Sequence, residues 1–263
     1  MIINPYRFAA AGGITDPTDI AGLDLWLDAS DADTLYTLAS GGTTPPADDA
    51  TTGRWEDKSG NANHAQQPTA GDRPLRRVAE VNGLDVLDFT AGPFMYGTAN
   101  LTPRQTDAKS IFVVCKMDVS AATTSIFTPY GTDGATTGQV GLVTSEIAYR
   151  CSSAVWVSTD PCSTTAANII TLTQSGAGNI HDVCDMWLDG TNVTQTAGAG
   201  NNLALSDYAG ANWGIGSGDP RSGGGSLPID GKVCEIIVYD TELSASDRGD
   251  VETYLANKWG VTI

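Results

Sequence analysis

The chain has 263 residues, with 31 acidic and 14 basic side chains and a formal net charge of −17. A charge of this sign and size repels nucleic-acid phosphates and acidic membrane surfaces, so the sequence predicts neither kind of partner. No apolar stretch approaches the roughly eighteen residues that a membrane-spanning helix needs, so none is predicted.

The first 22 residues are rich in alanine and glycine, contain two prolines and show no periodicity. We predict that residues 1–22 form an N-terminal arm ahead of one domain at 23–263. The arm has no basic region followed by an apolar run, so no secretory signal peptide is expected. Its predicted anchoring residues are apolar: Ile2, Ile3, Tyr6 and Phe8.

Short apolar and β-branched runs follow, separated by clusters of Gly, Asn, Asp or Pro. The run at 23–28 alternates, the run at 84–89 nearly does, and the run at 110–117 is continuously apolar, as in a strand buried on both faces. Further strands are predicted at 139–143, 147–151, 169–173, 182–189, 213–216 and 232–240. Because no helix separates these runs, the strands are expected to pair antiparallel.

The run at 182–189 places Cys184, Met186 and Leu188 on one face, which we expect to point into the core. An Asp-Gly step follows it and predicts a tight turn into a hairpin partner at 192–194.

One helix is predicted, at the end of the chain. Ser244 or Ser246 can cap its first turn, and Gly260 can end it. Its apolar stripe, expected to pack on the sheets, consists of Val251, Leu255 and Trp259.

Five cysteines leave at least one thiol unpaired. Cys115, Cys184 and Cys234 lie in apolar runs and are expected to be buried. Cys151 and Cys162 bracket a short excursion that a disulfide can staple, and the sequence leaves this pairing open. With no Cys-x-x-Cys pair and two histidines, a zinc site is not expected.

Stretches 23–31, 55–65 and 82–89, completed by 231–240 and 251–260, together resemble laminin-G-like domains of the concanavalin A-like lectin/glucanase superfamily. The resemblance covers about residues 23–263. It implies an all-β fold, a two-sheet antiparallel jelly-roll sandwich with one C-terminal α-helix. It also implies a concave face that often binds sugars, and sometimes a calcium ion.

Catalysis is not predicted. Retaining glucanases need two carboxylates about 5–5.5 Å apart. The sequence lacks the motif that places such a pair on one strand, and Glu235 and Asp240 are spaced so that they point to opposite faces. His64 and His181 lie in turn-like contexts.

Two sets of residues are candidates for ligand binding. Aromatic side chains are the usual platforms for sugars, and the candidates are Trp156, Tyr149, Trp213, Tyr130 and Tyr208. Four aspartates offer the oxygen ligands that calcium prefers, although turn capping is the favoured explanation for them: Asp28, Asp31, Asp33 and Asp57. No other cofactor is expected.

The first eight residues resemble the starts of tailed-bacteriophage structural proteins that carry such domains. This resemblance implies a non-enzymatic virion protein, assembled in the host cytoplasm and displaying a lectin-like domain on the capsid, a head fibre or the tail. Expected partners are capsid or tail proteins, further copies of the chain (a trimer first) and host-surface polysaccharide. The alternatives are a bacterial carbohydrate-binding module or adhesin, and a polysaccharide-degrading enzyme.

Overall fold

The computed structural model describes residues 13–118, 123–131, 138–151, 154–193, 202–205, 212–217 and 227–263. Their regular elements are, in chain order, β1 Leu23–Asp28, β2 Leu35–Tyr36, β3 Arg54–Trp55, β4 Ala65–Gln66, β5 Leu75–Val81, β6 Leu84–Asp88, β7 Met95–Gly97, β8 Lys109–Met117, β9 Thr124–Gly131, β10 Gln139–Val143, β11 Glu146–Cys151, β12 Ala154–Pro161, β13 Asn168–Gln174, α1 Ile180–Val183, β14 Cys184–Leu188, β15 Thr191–Asn192, β16 Asn212–Ile215, β17 Gly231–Tyr239 and α2 Ala245–Trp259.

The strands of the described residues form two antiparallel sheets. The eight-stranded sheet runs β15-β14-β13-β8-β17-β6-β5, and β1 also pairs with β17. The nine-stranded sheet runs β12-β11-β10-β9-β16-β7-β4-β3-β2. The predicted two-sheet antiparallel sandwich with a C-terminal helix is confirmed.

Two apolar clusters hold these layers together. The larger one fills the space between the sheets and includes Leu25, Trp55, Val113 and Trp213. The smaller one lies on the outer face of the eight-stranded sheet, where α2 covers it. One face of the eight-stranded sheet is therefore occupied by the helix. No helix within the described residues is long and apolar enough to cross a membrane.

Helix α2 has the predicted boundaries. The Ser244 hydroxyl accepts the backbone N–H of Asp247, and Gly260 ends the helix in the left-handed conformation at φ 72°. The predicted stripe is buried against the sheet: Val251, Leu255 and Trp259.

The strand predicted at 182–189 is shorter than expected. Residues Ile180–Val183 form α1, and the strand begins at Cys184. The predicted inward face is confirmed, since Cys184 and Met186 are buried in the inter-sheet core and Leu188 packs against it. The hairpin turn after this strand is also confirmed, and β15 follows it directly.

Residues 13–22 pack on the domain. Ile14 and Ile20 contact the outer apolar cluster, and the Tyr239 hydroxyl donates to the carbonyl of Pro17 at 2.9 Å. This part of the predicted arm is therefore fixed to β17. The arm's predicted anchors Ile2, Ile3, Tyr6 and Phe8 lie outside the described residues.

Candidate functional site

The outer face of the nine-stranded sheet is the candidate site, because α2 covers the corresponding face of the other sheet. Strand register aligns one row of residues across it. Tyr36 pairs with Arg54, Arg54 with Gln66, Gln66 with Tyr96, and Tyr96 with Gly214. Directly paired residues share one face of a sheet. This set of five is called the tyrosine row below.

Burial shows which way the tyrosine row points. Its neighbours on the same strands, Leu35, Trp55 and Ala65, are fully buried between the sheets. Tyr36 and Tyr96 are only partly buried. Since successive side chains of a strand alternate between faces, the row lies on the outer face. Its two tyrosines are three strands, or about 14 Å, apart.

Arg54 is held rigidly at one end of the row. Its guanidinium carbon lies 4.3 Å from the centre of the Tyr36 ring. The guanidinium also donates to the carbonyl of Gly42 at 2.8 Å and pairs with a carboxylate oxygen of Glu56 at 3.1 Å. The Tyr36 hydroxyl donates to the carbonyl of Asp33 at 2.6 Å. Arginine and tyrosine therefore form a preorganised stacked pair.

The phenol of Tyr36 stays neutral at physiological pH. Desolvation raises its pKa, and the nearby carboxylate of Glu56 raises it further. This end of the tyrosine row thus presents a neutral aromatic ring beside a guanidinium and one carboxylate.

Gly97, the residue after Tyr96, leaves room for the Trp213 indole. A side-chain carbon on Gly97 would lie 2.0 Å from the indole nitrogen of Trp213, so a larger residue cannot sit there without displacing the ring. The indole fills this space from the inter-sheet core. Gly214, beside Tyr96, adds no side chain to the outer face. Beyond Tyr96 the row continues into Gly214, which is buried.

Beyond Gly214 the row is closed off from solvent, because Thr128 is 0% exposed. Thr128 pairs with Gly214 on the next strand, and its hydroxyl donates to the carbonyl of Ser217 at 2.8 Å. The accessible part of the row therefore combines aromatic faces with the amide of Gln66 and the guanidinium of Arg54. Apolar faces beside hydrogen-bonding groups are chemically suited to a polyhydroxylated ligand.

Three of the five predicted sugar-binding aromatics are not on this surface. Tyr149 and Trp156 pair with each other across β11 and β12 and point into the inter-sheet core, as does Trp213. All three are at most 4% exposed, so their rings cannot stack on a glycan. The predicted contact is wrong for these residues. The side chain of Tyr130 and all of Tyr208 lie outside the described residues.

Three of the four predicted calcium ligands are engaged in other interactions. Asp28 pairs with Lys58 at 3.0 Å and Lys258 at 2.8 Å, and Asp31 pairs with Lys58 at 2.8 Å. Asp57 accepts three backbone N–H groups. Among the described residues, no group of three or more His, Cys, Asp or Glu side chains is arranged to hold a metal ion. The geometry of Asp28, Asp31 and Asp57 favours turn capping and ion pairing over calcium binding. Asp33 donates its backbone N–H to the Asp31 carboxylate.

A buried ionic cluster lies on the opposite sheet, and sequence reasoning did not find it. Glu235 of β17 is fully buried and accepts hydrogen bonds from the indole nitrogens of Trp26 at 2.7 Å and Trp259 at 2.6 Å. Lys258 of α2 lies 2.7 Å from the same carboxylate and 2.8 Å from Asp28. The cluster ties β1, β17 and α2 together.

The charges of this cluster depend on one another. Burial raises the pKa of Glu235, and the ammonium of Lys258 counteracts that rise. Burial opposes the charge of Lys258 as well, yet Glu235 and Asp28 raise its pKa above the ordinary value. Glu235 thus holds α2 against the sheet through Trp259 and Lys258.

The fold is similar to that of several proteins of known structure. No protein-family model and no curated protein matches the chain. Domain 4 of AbnA, a GH43 extracellular arabinanase from Geobacillus stearothermophilus solved with arabinotriose, is similar at 13% identity and a TM-score of 0.57, over 88% of this chain and 98% of that one.

Two further solved structures are similar over part of their length. Trypanosoma rangeli sialidase in complex with the inhibitor DANA matches at 14% identity and a TM-score of 0.57, over 95% of this chain and 36% of that one. The binding domain of Paraclostridial Mosquitocidal Protein 1 matches at 9% identity and a TM-score of 0.57, over 91% of this chain and 52% of that one. At these identities the likeness shows the fold alone: a lectin-like β-sandwich.

Proposed function

We propose that the chain is a carbohydrate-binding β-sandwich domain that binds a neutral glycan across the tyrosine row. The observation that carries the proposal is the alignment of five residues on the outer face of the nine-stranded sheet: Tyr36, Arg54, Gln66, Tyr96 and Gly214. The similar arabinanase domain, solved with arabinotriose, supports the same class of ligand.

The negative charge of the chain disfavours anionic glycans. A net charge of −17 repels polyanions at a distance. On the row itself, the guanidinium of Arg54 is paired with Glu56 and so offers no unpaired positive charge to an acidic sugar. We therefore propose that uncharged sugars are preferred over polyuronates.

We further propose that binding occurs without turnover. No residue of the tyrosine row is a carboxylic acid, whereas glycoside hydrolysis generally needs two carboxyl groups flanking the bond. The test is release of reducing ends from the bound polysaccharide, and sustained release would overturn this part of the proposal.

Binding is tested by titration calorimetry of the full chain with arabino-, xylo- and cello-oligosaccharides, and with polygalacturonate as the anionic comparison. Tyr36→Ala and Tyr96→Ala are each expected to weaken the affinity for the bound sugar at least tenfold, or about 1.4 kcal/mol. Val78→Ala is the control, because Val78 is an exposed apolar residue on the other sheet. Chelation of calcium is expected to leave the affinity unchanged.

Two outcomes contradict the proposal. Either none of the neutral oligosaccharides binds, or both tyrosine variants bind as tightly as the Val78→Ala control.

The virion interpretation stays a prediction. The phage resemblance depends on residues 1–8, which lie outside the described residues, and the similar structures support the carbohydrate-binding alternative better. Capsid or tail partners and a trimer stay predictions with it. Co-sedimentation with phage-like particles, compared between the full chain and a chain lacking residues 1–22, tests them together with light scattering.

A further inference from the structure

Cys115 and Cys162 lie in the same core, a pairing that the sequence analysis did not consider. All five cysteines are buried and free. Cys162 follows β12 of the nine-stranded sheet, and its backbone N–H donates to the carbonyl of Ser145 at 3.0 Å. Cys115 lies on β8 of the other sheet, and both residues belong to the inter-sheet core.

Asn168 brings these two cysteines together. It pairs directly with Cys115 across β13 and β8, so the two side chains share the face that points inward. Its amide oxygen accepts the backbone N–H of Ser163 at 2.9 Å, and its amide nitrogen donates to the carbonyl of Ser163 at 2.9 Å. The residue next to Cys162 is thereby fixed opposite Cys115.

Cys115 is accordingly the strongest single influence on the Cys162 thiol, whose pKa it raises. The remaining cysteines have other neighbours. Cys151 lies on β11, where it pairs with Ala154 of β12. Cys184 donates to the side-chain oxygen of Gln174 at 3.8 Å. Cys234 belongs to the outer apolar cluster, on the other side of the sheet.

We propose that Cys115 and Cys162 are a disulfide-forming pair, which a low-molecular-weight disulfide such as oxidised glutathione closes. One thiolate attacks the oxidant, forms a mixed disulfide and releases one glutathione thiol. The second cysteine then attacks the mixed disulfide and releases the other glutathione. The chain loses two hydrogens, which the two released thiols carry. The new bond links β8 to the segment between β12 and β13.

The folded protein protects this pair. The neighbouring Cys115 and burial raise the pKa of the Cys162 thiol, so the reactive thiolate is rare. Exchange is therefore expected during folding or partial opening rather than in the closed sandwich.

The experiment refolds the full chain from denaturant in a buffer of reduced and oxidised glutathione, blocks remaining thiols, and maps disulfide peptides by mass spectrometry. A loss of about 2 Da is expected, together with one dominant peptide pair containing Cys115 and Cys162. Cys115→Ala is expected to abolish this product, and the matched variant Cys151→Ala is expected to retain it. Closing the bond is expected to raise the Tm by about 5 °C or more.

Other pairings overturn the proposal. A dominant Cys151–Cys162 peptide, a mixture without preference, or equal yields from the two variants each contradict it. If refolding fails, the native full chain is oxidised in sub-denaturing urea and mapped in the same way, and absence of the Cys115–Cys162 peptide there overturns the proposal equally.

Discussion

The buried ionic cluster makes one quantitative prediction about stability. Lys258→Met removes the ammonium that lies between two buried carboxylates and replaces it with an apolar chain of similar length. Glu235, which is 0% exposed, then keeps neutral donors such as the Trp26 and Trp259 indoles but loses the cation. Asp28 keeps Lys58 and its hydrogen bonds from Ser30. The variant therefore buries a carboxylate without compensating charge.

The magnitude follows from the cost of such a charge. Removing one partner of a buried ion pair destabilises a protein by about 3–5 kcal/mol. For a domain of this size, that loss lowers the Tm by about 10 °C. The loss should also depend on pH. Without Lys258 the pKa of Glu235 rises further above its unfolded value, so the variant is most stable when Glu235 is protonated. Its deficit relative to the wild type grows as pH rises through that pKa.

Urea unfolding at pH 5 and pH 8 measures both effects. The matched control is Lys116→Met, which removes an ammonium from a solvent-accessible pair with Glu80 at 3.8 Å. The control is expected to change the free energy of unfolding by less than about 1 kcal/mol. Equal losses in the two variants, or a Lys258→Met deficit that does not change with pH, would refute the reasoning.

Three further perturbations are expected to give distinct results in urea or thermal unfolding. Gly97→Ala drives a carbon into the Trp213 indole and should cost about 1–3 kcal/mol, whereas Gly249→Ala meets open space within α2 and should stabilise by about 0.5–1 kcal/mol. Ser244→Ala removes the helix cap and should cost about 1 kcal/mol. Burial lowers the pKa of Lys109 to about 8, so the folded state binds fewer protons than the unfolded state above that pH. The free energy of unfolding of the wild type, relative to that of Lys109→Met, should therefore rise by up to about 3 kcal/mol between pH 7.5 and 10.5.

The long strands could be predicted because their apolar pattern is strong. Strands β8 and β17 are nine residues each and almost wholly buried, so they show as continuous apolar runs. The two-residue strands β2, β3 and β4 are too short to show any period. Strands β9 and β12 each contain a proline, Pro129 and Pro161, which weakens a strand prediction. Residues far apart in the chain form the ionic cluster, so only tertiary structure reveals it.

The same limit explains why the predicted sugar-binding aromatics were misplaced. An aromatic residue faces solvent or core according to the register of its strand, which composition does not encode. In β2 and β7 the tyrosines share a strand with Leu35 and Met95, and these fully buried neighbours occupy the inner face. Trp213 turns inward because Gly97 leaves room for its indole. The decisive comparison for glycan binding is therefore between tyrosines on opposite faces of one sheet. Tyr96→Phe and Tyr149→Phe remove the same hydroxyl, but only the first removes it from the proposed binding surface.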